Sequence, residues 1–366
     1  MVRTYSFEYR RQHPEMFLHF CTECKPQRRF KKFSDKNMHF EMKHGNGKHA
    51  DDISNYILSS MTASDLQTFV TNEIEPDTAF NSCCKEAVNF LCQVMKENFP
   101  ETLRPSEIKK SGSLGKGTAV NEKSDADLVV FLVRLQTIPK LRREMLSVKE
   151  EMICYLGKEK NITVEGTTPY AVKVCLSCDS GHSHDVDILP SVDILKKKTK
   201  EEIYREMDSK SEKYRKFYSA ALAPLQISFV SSRPPKLKTL IRLVKYWRKT
   251  FFEESTGSQR LPTSYPLELI TIGEWEDAGS PENFDLRKGF YHVLRAITNY
   301  TKLKRAWKTN YDDFKCNNQF YVMDPANPFN NVMEKCNWKK VARKTRKFLN
   351  QPLFFGLSSF EGWLKN

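Results

Sequence analysis

The chain has 366 residues, with 59 Lys and Arg against 45 Asp and Glu, a formal charge of +14 and a pI near 9.2. That length accommodates two or three domains with large cores, and the charge points to a polyanionic partner, nucleic acid first, rather than to small neutral substrates. The ten cysteines lack a disulfide-framework spacing, the N-terminal MVRTYSFEYRRQHPEMF lacks an apolar signal core, and the longest apolar runs, such as LVVFLV, fall far short of a membrane span. A reducing home, cytoplasm or nucleus, with no membrane partner, is the expectation.

The first fifty residues form a distinct unit, with eleven Lys and Arg against five Asp and Glu and five of the eight histidines. Cys21-x2-Cys24 is followed by His39-x4-His44, giving C-x2-C-x14-H-x4-H. Two thiolates on a knuckle and two imidazoles on one helix face are the ligands of tetrahedral Zn²⁺, so residues 1–50 are expected to form a zinc finger with Cys21, Cys24, His39 and His44 as ligands. Its spacer is two residues longer than the usual twelve, and His49 is an alternative ligand. Phe20, Phe30 and Phe33 supply a small core, and RRFKK at 28–32 is suited to nucleic acid, although a finger serves equally to dock a protein. GNGKHADD at 45–52 opens a polar linker over 51–64.

From Asp65 the pattern turns to mixed α and β. The stretch SDLQTFVTNEIEPDTAFNSCCKEAVNFLCQVMKENF has helical apolar spacing, placing Phe69, Ile74, Phe80, Val88, Leu91 and Met95 in the core. GSLGKGT at 112–118 follows a short strand, ADLVVFLV reads as a buried strand, and PYAVKVCLS and HSHDVDIL read as two more, joined by a hairpin turn at CDSGHS. In KLKTLIRLVKYWRKTF, Leu237, Leu240, Ile241, Val244 and Trp247 share one helix face, and the last hundred residues are mostly helical by pattern. The fold class is therefore α+β, a mixed β-sheet lobe over 65–230 followed by a helical C-terminal lobe over 231–366.

GSLGKGT imitates a phosphate-binding P-loop but lacks the order G-x4-G-K-[ST], because Lys116 precedes Gly117 and Thr118 follows it. Its meaning comes from what lies beyond. Asp125 and Asp127 stand two apart on a strand and so share a face. Paired carboxylates suit Mg²⁺, which takes one or two of them plus substrate phosphates. A third acid on a neighbouring strand, Asp185 or Asp187, would complete a two-metal site of the kind that activates a hydroxyl and holds leaving pyrophosphate.

GSLGKGTAVNEKSDADLVVFL, HDVDILPSVDIL, RPPKLKTLIRLVKYW, LPTSYPLELITIGEWE and DPANPFNNV, in this order over residues 65–355, resemble the 2′-5′-oligoadenylate synthetases, template-independent nucleotidyltransferases of the superfamily that includes the cyclic GMP-AMP synthase-like sensors. The finger lies outside the resemblance. The resemblance implies a nucleotidyltransferase fold, activation by double-stranded RNA as an innate immune sensor, and polymerisation of ATP through 2′-5′ linkages with release of pyrophosphate. It implies Asp125, Asp127 and Asp187 as the Mg²⁺-binding catalytic triad, with Asp187 preferred to Asp185 because it directly precedes the hydrophobic-Leu-Pro step. Gly112, Ser113 and Lys236 are implied as donor-triphosphate ligands and Tyr265 as the ring that stacks on a nucleobase. Ser264 stands where the family usually has glutamine, which leaves the choice among nucleoside triphosphates open, and Leu114 replaces a usual serine.

A-form duplexes are read by shape and backbone, so basic residues without base-reading chemistry are the expected contact. Lys109 and Lys110, just before the loop, are the preferred candidates, ahead of Lys210, Lys213, Arg215 and Lys216. Duplex binding is expected to shift the loop towards an arrangement that brings the three aspartates together. Two rivals stand beside this reading. One is an RNA-activated cyclic dinucleotide synthase using the same acids; the other is an inert RNA-binding adaptor.

Overall fold

The computed structural model describes residues 19–20, 29–30, 58, 61–76, 78–121, 126–178, 183–252, 260–311, 313–358 and 362–364. In the N-terminal unit, β1 (His19–Phe20) pairs antiparallel with β2 (Arg29–Phe30). The candidate ligands Cys21, Cys24, His39 and His44 lie outside the described residues.

The long helical stretch expected from Asp65 is broken. A short α1 (Asp65–Phe69) runs into a π-turn over Val70–Ile74, and α2 begins afresh at Thr78 and continues to Glu97. Pro76 is the physical cause: the residue before a proline is pushed out of the helical region, and Glu75 has φ −71° and ψ 129°. The break sends the two pieces into different cores. Phe69 and Ile74 pack with the C-terminal helices, whereas Val88, Leu91 and Met95 pack under the sheet. The side chain of Phe80 lies outside the described residues.

The sheet has five strands, β3 (Pro105–Ser111), β4 (Ala126–Leu132), β5 (Ile162–Thr167), β6 (Val172–Ser177) and β7 (Ser183–Ser191), in the order β3-β4-β7-β6-β5. β6 and β7 form the expected antiparallel hairpin, and β4 and β7 are the sheet's parallel pair. Alternation divides the faces. Leu128, Val130, Val174, Val186 and Ile188 pack against α2 and against α4 (Ile138–Leu156), which precedes β5. Between β3 and β4 lies a short α3 (Gly112–Lys116), which follows β3 without a break, so GSLGKGT is a tight strand-to-helix turn.

After α5 (Lys200–Asp208) and α6 (Ala223–Ser231) come α7 (Pro235–Phe251), α8 (Ser264–Asp277), α9 (Leu286–Thr298) and α10 (Trp338–Phe348). Leu237, Leu240, Ile241, Val244 and Trp247 of α7 are fully buried, as their spacing foretold. Between α9 and α10 stands a small sheet that helical pattern reading missed: β8 (Lys304–Arg305), β9 (Tyr321–Asp324) and β10 (Asn327–Asn331), in the order β10-β9-β8. Its strands are two to five residues long, β8 being Lys-Arg and β10 rich in Asn, and all are too short to show a period-2 apolar signal.

Candidate active site

The cleft between the sheet lobe and α7–α8 has a volume of about 410 Å³, and its wall includes Gly112, Ser113, Lys116, Asp127, Asp187 and Lys245. Its acidic floor is made by strand register. Asp127 and Asp187 are direct partners across the parallel β4–β7 pair, so their side chains leave the same face of the sheet. On that face Ser111 pairs with Asp127, and Lys173 pairs with Asp187 across β6–β7, its Nζ 3.6 Å from Oδ1. Asp185, also on this face, lines the cleft beside Asp187. Asp125 lies outside the described residues.

Gly112 lets the loop close onto this floor. It has φ +57°, and a Cβ built on it would stand 1.7 Å from Oδ2 of Asp127, a clash no side chain escapes. Ser113, next to it in α3, also lines the cleft. The turn is therefore brought against Asp127 of β4, with Asp187 reaching the same cleft from β7.

Two adjacent carboxylates at the end of a sheet, beside a turn that presents backbone towards them, fit Mg²⁺: hard oxygen donors in small number, with room left for phosphate oxygens. When bound there, the metal would neutralise phosphate charge and favour the hydroxyl as nucleophile.

The opposite wall is cationic, and its residues are not those the sequence indicated. Lys236, at the start of α7, lies with Nζ 5.4 Å from the centre of the Phe284 ring and is absent from the cleft wall. The lysines of α7 that do line it are Lys245 and Lys249. Nine residues at about 100° each place Lys236 and Lys245 on opposite sides of the helix. The legible signal was the stripe Lys238, Arg242, Lys245, Lys249, spaced four, three and four.

That stripe grips the loop after α3. Arg242 donates from Nη2 to the Gly117 carbonyl at 2.7 Å and from Nε to the Ala119 carbonyl at 3.0 Å. Lys245 donates to the Thr118 carbonyl at 2.8 Å. A buried carboxylate, Glu268 of α8, ties everything together: it accepts from Lys116 at 3.0 Å and from the Thr118 hydroxyl at 2.8 Å, and Lys245 lies 3.4 Å away. Two ammonium groups thus share one carboxylate. Burial drives the Lys245 ammonium down to about 8 against the pull of Glu268, with Lys116 adding repulsion. Burial favours the neutral acid at Glu268, but Lys116 and Lys245 outweigh it and hold the carboxyl below the ordinary range. The lysine of GSLGKGT therefore has a partner that a Walker comparison does not reveal.

Tyr265, the expected base-stacking ring, lines the cleft with its ring centroid 3.9 Å from the Lys116 ammonium. Its hydroxyl donates to Oδ1 of Asp324 at 2.9 Å. Asp324 is wholly buried at the end of β9 and also accepts from Gln226, Asn330 and the Ala326 amide, so the overlooked small sheet fixes the tilt of the ring. Ser264, just before it, forms part of the same wall.

Lys109 and Lys110 do not act as a pair. Being consecutive on β3 they face opposite sides of the sheet. Lys110 donates to Asn89 of α2 at 2.6 Å, and Lys109 lies 2.5 Å from Glu107 on the edge strand. Neither lines the cleft.

Residues 197–363 match the family model described as 2′-5′-oligoadenylate synthetase 1, domain 2, C-terminus. The chain is 32% identical to rat 2′-5′-oligoadenylate synthase 1A, with 81% of this chain and 93% of that protein covered. It is 29% identical to human 2′-5′-oligoadenylate synthase 2 over 79% of this chain and 45% of that one. A mouse relative named inactive 2′-5′-oligoadenylate synthase 1B is 30% identical, covering 81% and 86%. Among solved structures, CdnC of E. coli MS115-1 with ATP superposes with a TM-score of 0.55 at 18% identity, covering 78% of this chain and 89% of that one. The Cid1 poly(U) polymerase bound to MgATP superposes at 0.52, also at 18% identity, covering 79% and 93%. Those two likenesses establish the α+β nucleotidyltransferase-like fold, and the rat relative, matched along nearly its whole length, establishes the lineage: the chain belongs to the 2′-5′-oligoadenylate synthase family of nucleotidyltransferases.

Proposed function

We propose that the chain, when engaged by double-stranded RNA, polymerises ATP into 2′-5′-linked oligoadenylates with release of pyrophosphate, in the cytoplasm and as part of an innate immune response. The observation that carries this reading is the register of Asp127 against Asp187 beneath Gly112 and Ser113, opposite a wall holding Lys116, Lys245 and Lys249. Carboxylates on one side and cations on the other are what a nucleoside triphosphate with its Mg²⁺ requires. Asp125, Asp127 and Asp187 would hold the metal, the turn at Gly112 and Ser113 would cradle phosphates, and Lys245 and Lys249 would take the cationic role first expected of Lys236. Tyr265, held by Asp324, offers a ring face for an adenine.

Asp127 and Asp187 are neighbours by strand register within one sheet, whereas Gly112 and Ser113 belong to the turn into α3. The element proposed to respond to a duplex is the turn into α3, which follows directly on β3, the strand bearing Lys109 and Lys110. Contact of a duplex with Lys109 at that edge would bear on the turn through one continuous strand. The N-terminal unit is proposed as a structural zinc finger, a reading supported by the pairing of β1 with β2 on either side of the Cys21-x2-Cys24 knuckle.

The cyclic dinucleotide reading uses the same acids and draws its support from Ser264 in the cleft wall, where a shorter side chain alters the hydrogen bonding available to a base. The deciding experiment incubates purified protein and Mg²⁺ with all four nucleoside triphosphates and either duplex RNA or duplex DNA, and resolves the products by mass and phosphodiesterase sensitivity. RNA-dependent linear adenylates sensitive to a 2′-5′ phosphodiesterase support the reading. Cyclic products support the rival, and no product with intact RNA binding supports the adaptor.

A further inference from the structure

On the face of the sheet turned away from the cleft, three soft ligands converge from distant parts of the chain. Cys83 of α2 has its Sγ 2.8 Å from Sγ of Cys178, at the end of β6, and 3.0 Å from Nε2 of His184 on β7. Cys83 and His184 are buried, at 7% and 5% exposure, and Cys178 is half-buried. All three donor atoms lie within 4.8 Å of one another. Cys84, the next residue on the helix, points about 100° away and takes no part in the cluster.

We propose that Cys83, Cys178 and His184 bind a zinc ion that clamps α2 onto the β6–β7 hairpin, separate from any zinc held by the N-terminal finger. Two thiolates and an imidazole are three of the four ligands of common zinc sites, and Zn–S bonds of about 2.3 Å with a Zn–N bond of about 2.0 Å span such a triangle. The two sulfurs stand closer than the roughly 3.8 Å edge of a zinc tetrahedron, so binding moves them apart by about one ångström. Cys178, half-buried just past the last residue of β6, is the ligand with freedom to do this.

Two other readings of the cluster fit less well. A disulfide needs an S–S separation of about 2.05 Å and leaves the imidazole against Cys83 without a purpose. A Cys–His nucleophile needs a thiol open to substrate, whereas Cys83 is only 7% exposed and lies between Cys178 and His184. Coordination uses all three donors at once.

The location gives the site a consequence. His184 lies three residues before Asp187 on the same strand, with its side chain on the opposite face. A zinc clamp there fixes the strand that carries the floor of the cleft.

The test measures zinc in the purified full-length chain by mass spectrometry of the metal, for the native chain, for Cys83→Ser with Cys178→Ser, and for Cys21→Ser with Cys24→Ser. The first pair is expected to lose one zinc per chain and the second pair to retain it. Zinc content unchanged in a folded Cys83→Ser, Cys178→Ser protein overturns the proposal. The native chain provides a second readout that no folding defect obscures: alkylation of its thiols with and without a strong chelator, mapped by peptide. Cys178 is expected to become several-fold more reactive after chelation, while exposed Cys154 does not change. Equal labelling, or recovery of a disulfide-linked Cys83–Cys178 peptide, overturns the site.

Discussion

Lys245 of α7 and Lys116 of α3 share a single buried carboxylate, Glu268, which couples the GSLGKGT turn to the helical lobe. Charge at this junction is unbalanced, with two ammonium groups against one carboxylate, and the cleft they line has acids on its far side. A triphosphate would relieve that imbalance.

The shared carboxylate makes Glu268 a stability residue. Glu268→Gln leaves two buried lysines without a counter-charge, and the expected loss is about 3–5 kcal/mol, the usual cost of removing one member of a buried ionic set. Urea denaturation of both proteins measures it.

The depressed Lys245 gives a pH signature. Free enzyme loses the Lys245 charge as pH rises through about 8, so kcat/KM for the triphosphate is expected to fall on an alkaline limb with that midpoint. Lys245→Arg remains charged and should carry the limb to higher pH. Stability follows the opposite course. Between about 8 and the ordinary value of 10.5 the unfolded chain binds more protons at this position than the folded one, so this group makes the protein more stable as pH rises. The difference in unfolding free energy between the native chain and Lys245→Met, followed across that window, isolates the effect.

Asp127 and Asp187 are expected to be indispensable for chemistry and expendable for folding. Asp187→Asn and Asp127→Asn should each lower pyrophosphate release at least about a hundredfold, because metal-held charge is worth several kcal/mol in such transition states. Circular dichroism and melting curves should be little changed. A variant that retains most of its turnover removes that acid from the site.

Gly112→Ala tests the close approach of the turn. The added methyl meets Oδ2 of Asp127 and must also accept φ +57°, so turnover should collapse and stability fall by about 1–3 kcal/mol. Calorimetry and a pyrophosphate assay read the two effects separately.

Tyr265 separates two roles. Tyr265→Phe retains the ring and loses only the hydrogen bond to buried Asp324, with an expected cost of about 1–2 kcal/mol in stability. Tyr265→Ala also removes the surface for a base, so KM for ATP should rise further in that variant than in the phenylalanine one.

Several features were legible without coordinates. Alternation and β-branching marked β4, β6 and β7, and the helical spacing of α7 named its buried residues, because burial on one face imposes a period that sequence displays directly. The nearness of the turn to Asp127 follows from short spacing, since the turn directly follows β3 and Asp127 lies on the adjacent β4. Lys236 illustrates the limit. Motif position chose it, but helix phase sends it to the side away from the cleft.

What the sequence displayed by itself was therefore the α+β class and, by short spacing, the pair Asp125 and Asp127 beyond the glycine turn, whereas the choice of Asp187 over Asp185 came from the family resemblance. What only the tertiary structure decided was which lysines face those acids, that Glu268 lies buried between two of them, and that Asp324 on an inconspicuous strand holds Tyr265. It also decided that Cys83, Cys178 and His184 meet, although Cys83 and His184 are 101 residues apart. Side chains that distant meet only when strand register and helix packing bring them together, and no local pattern records that geometry.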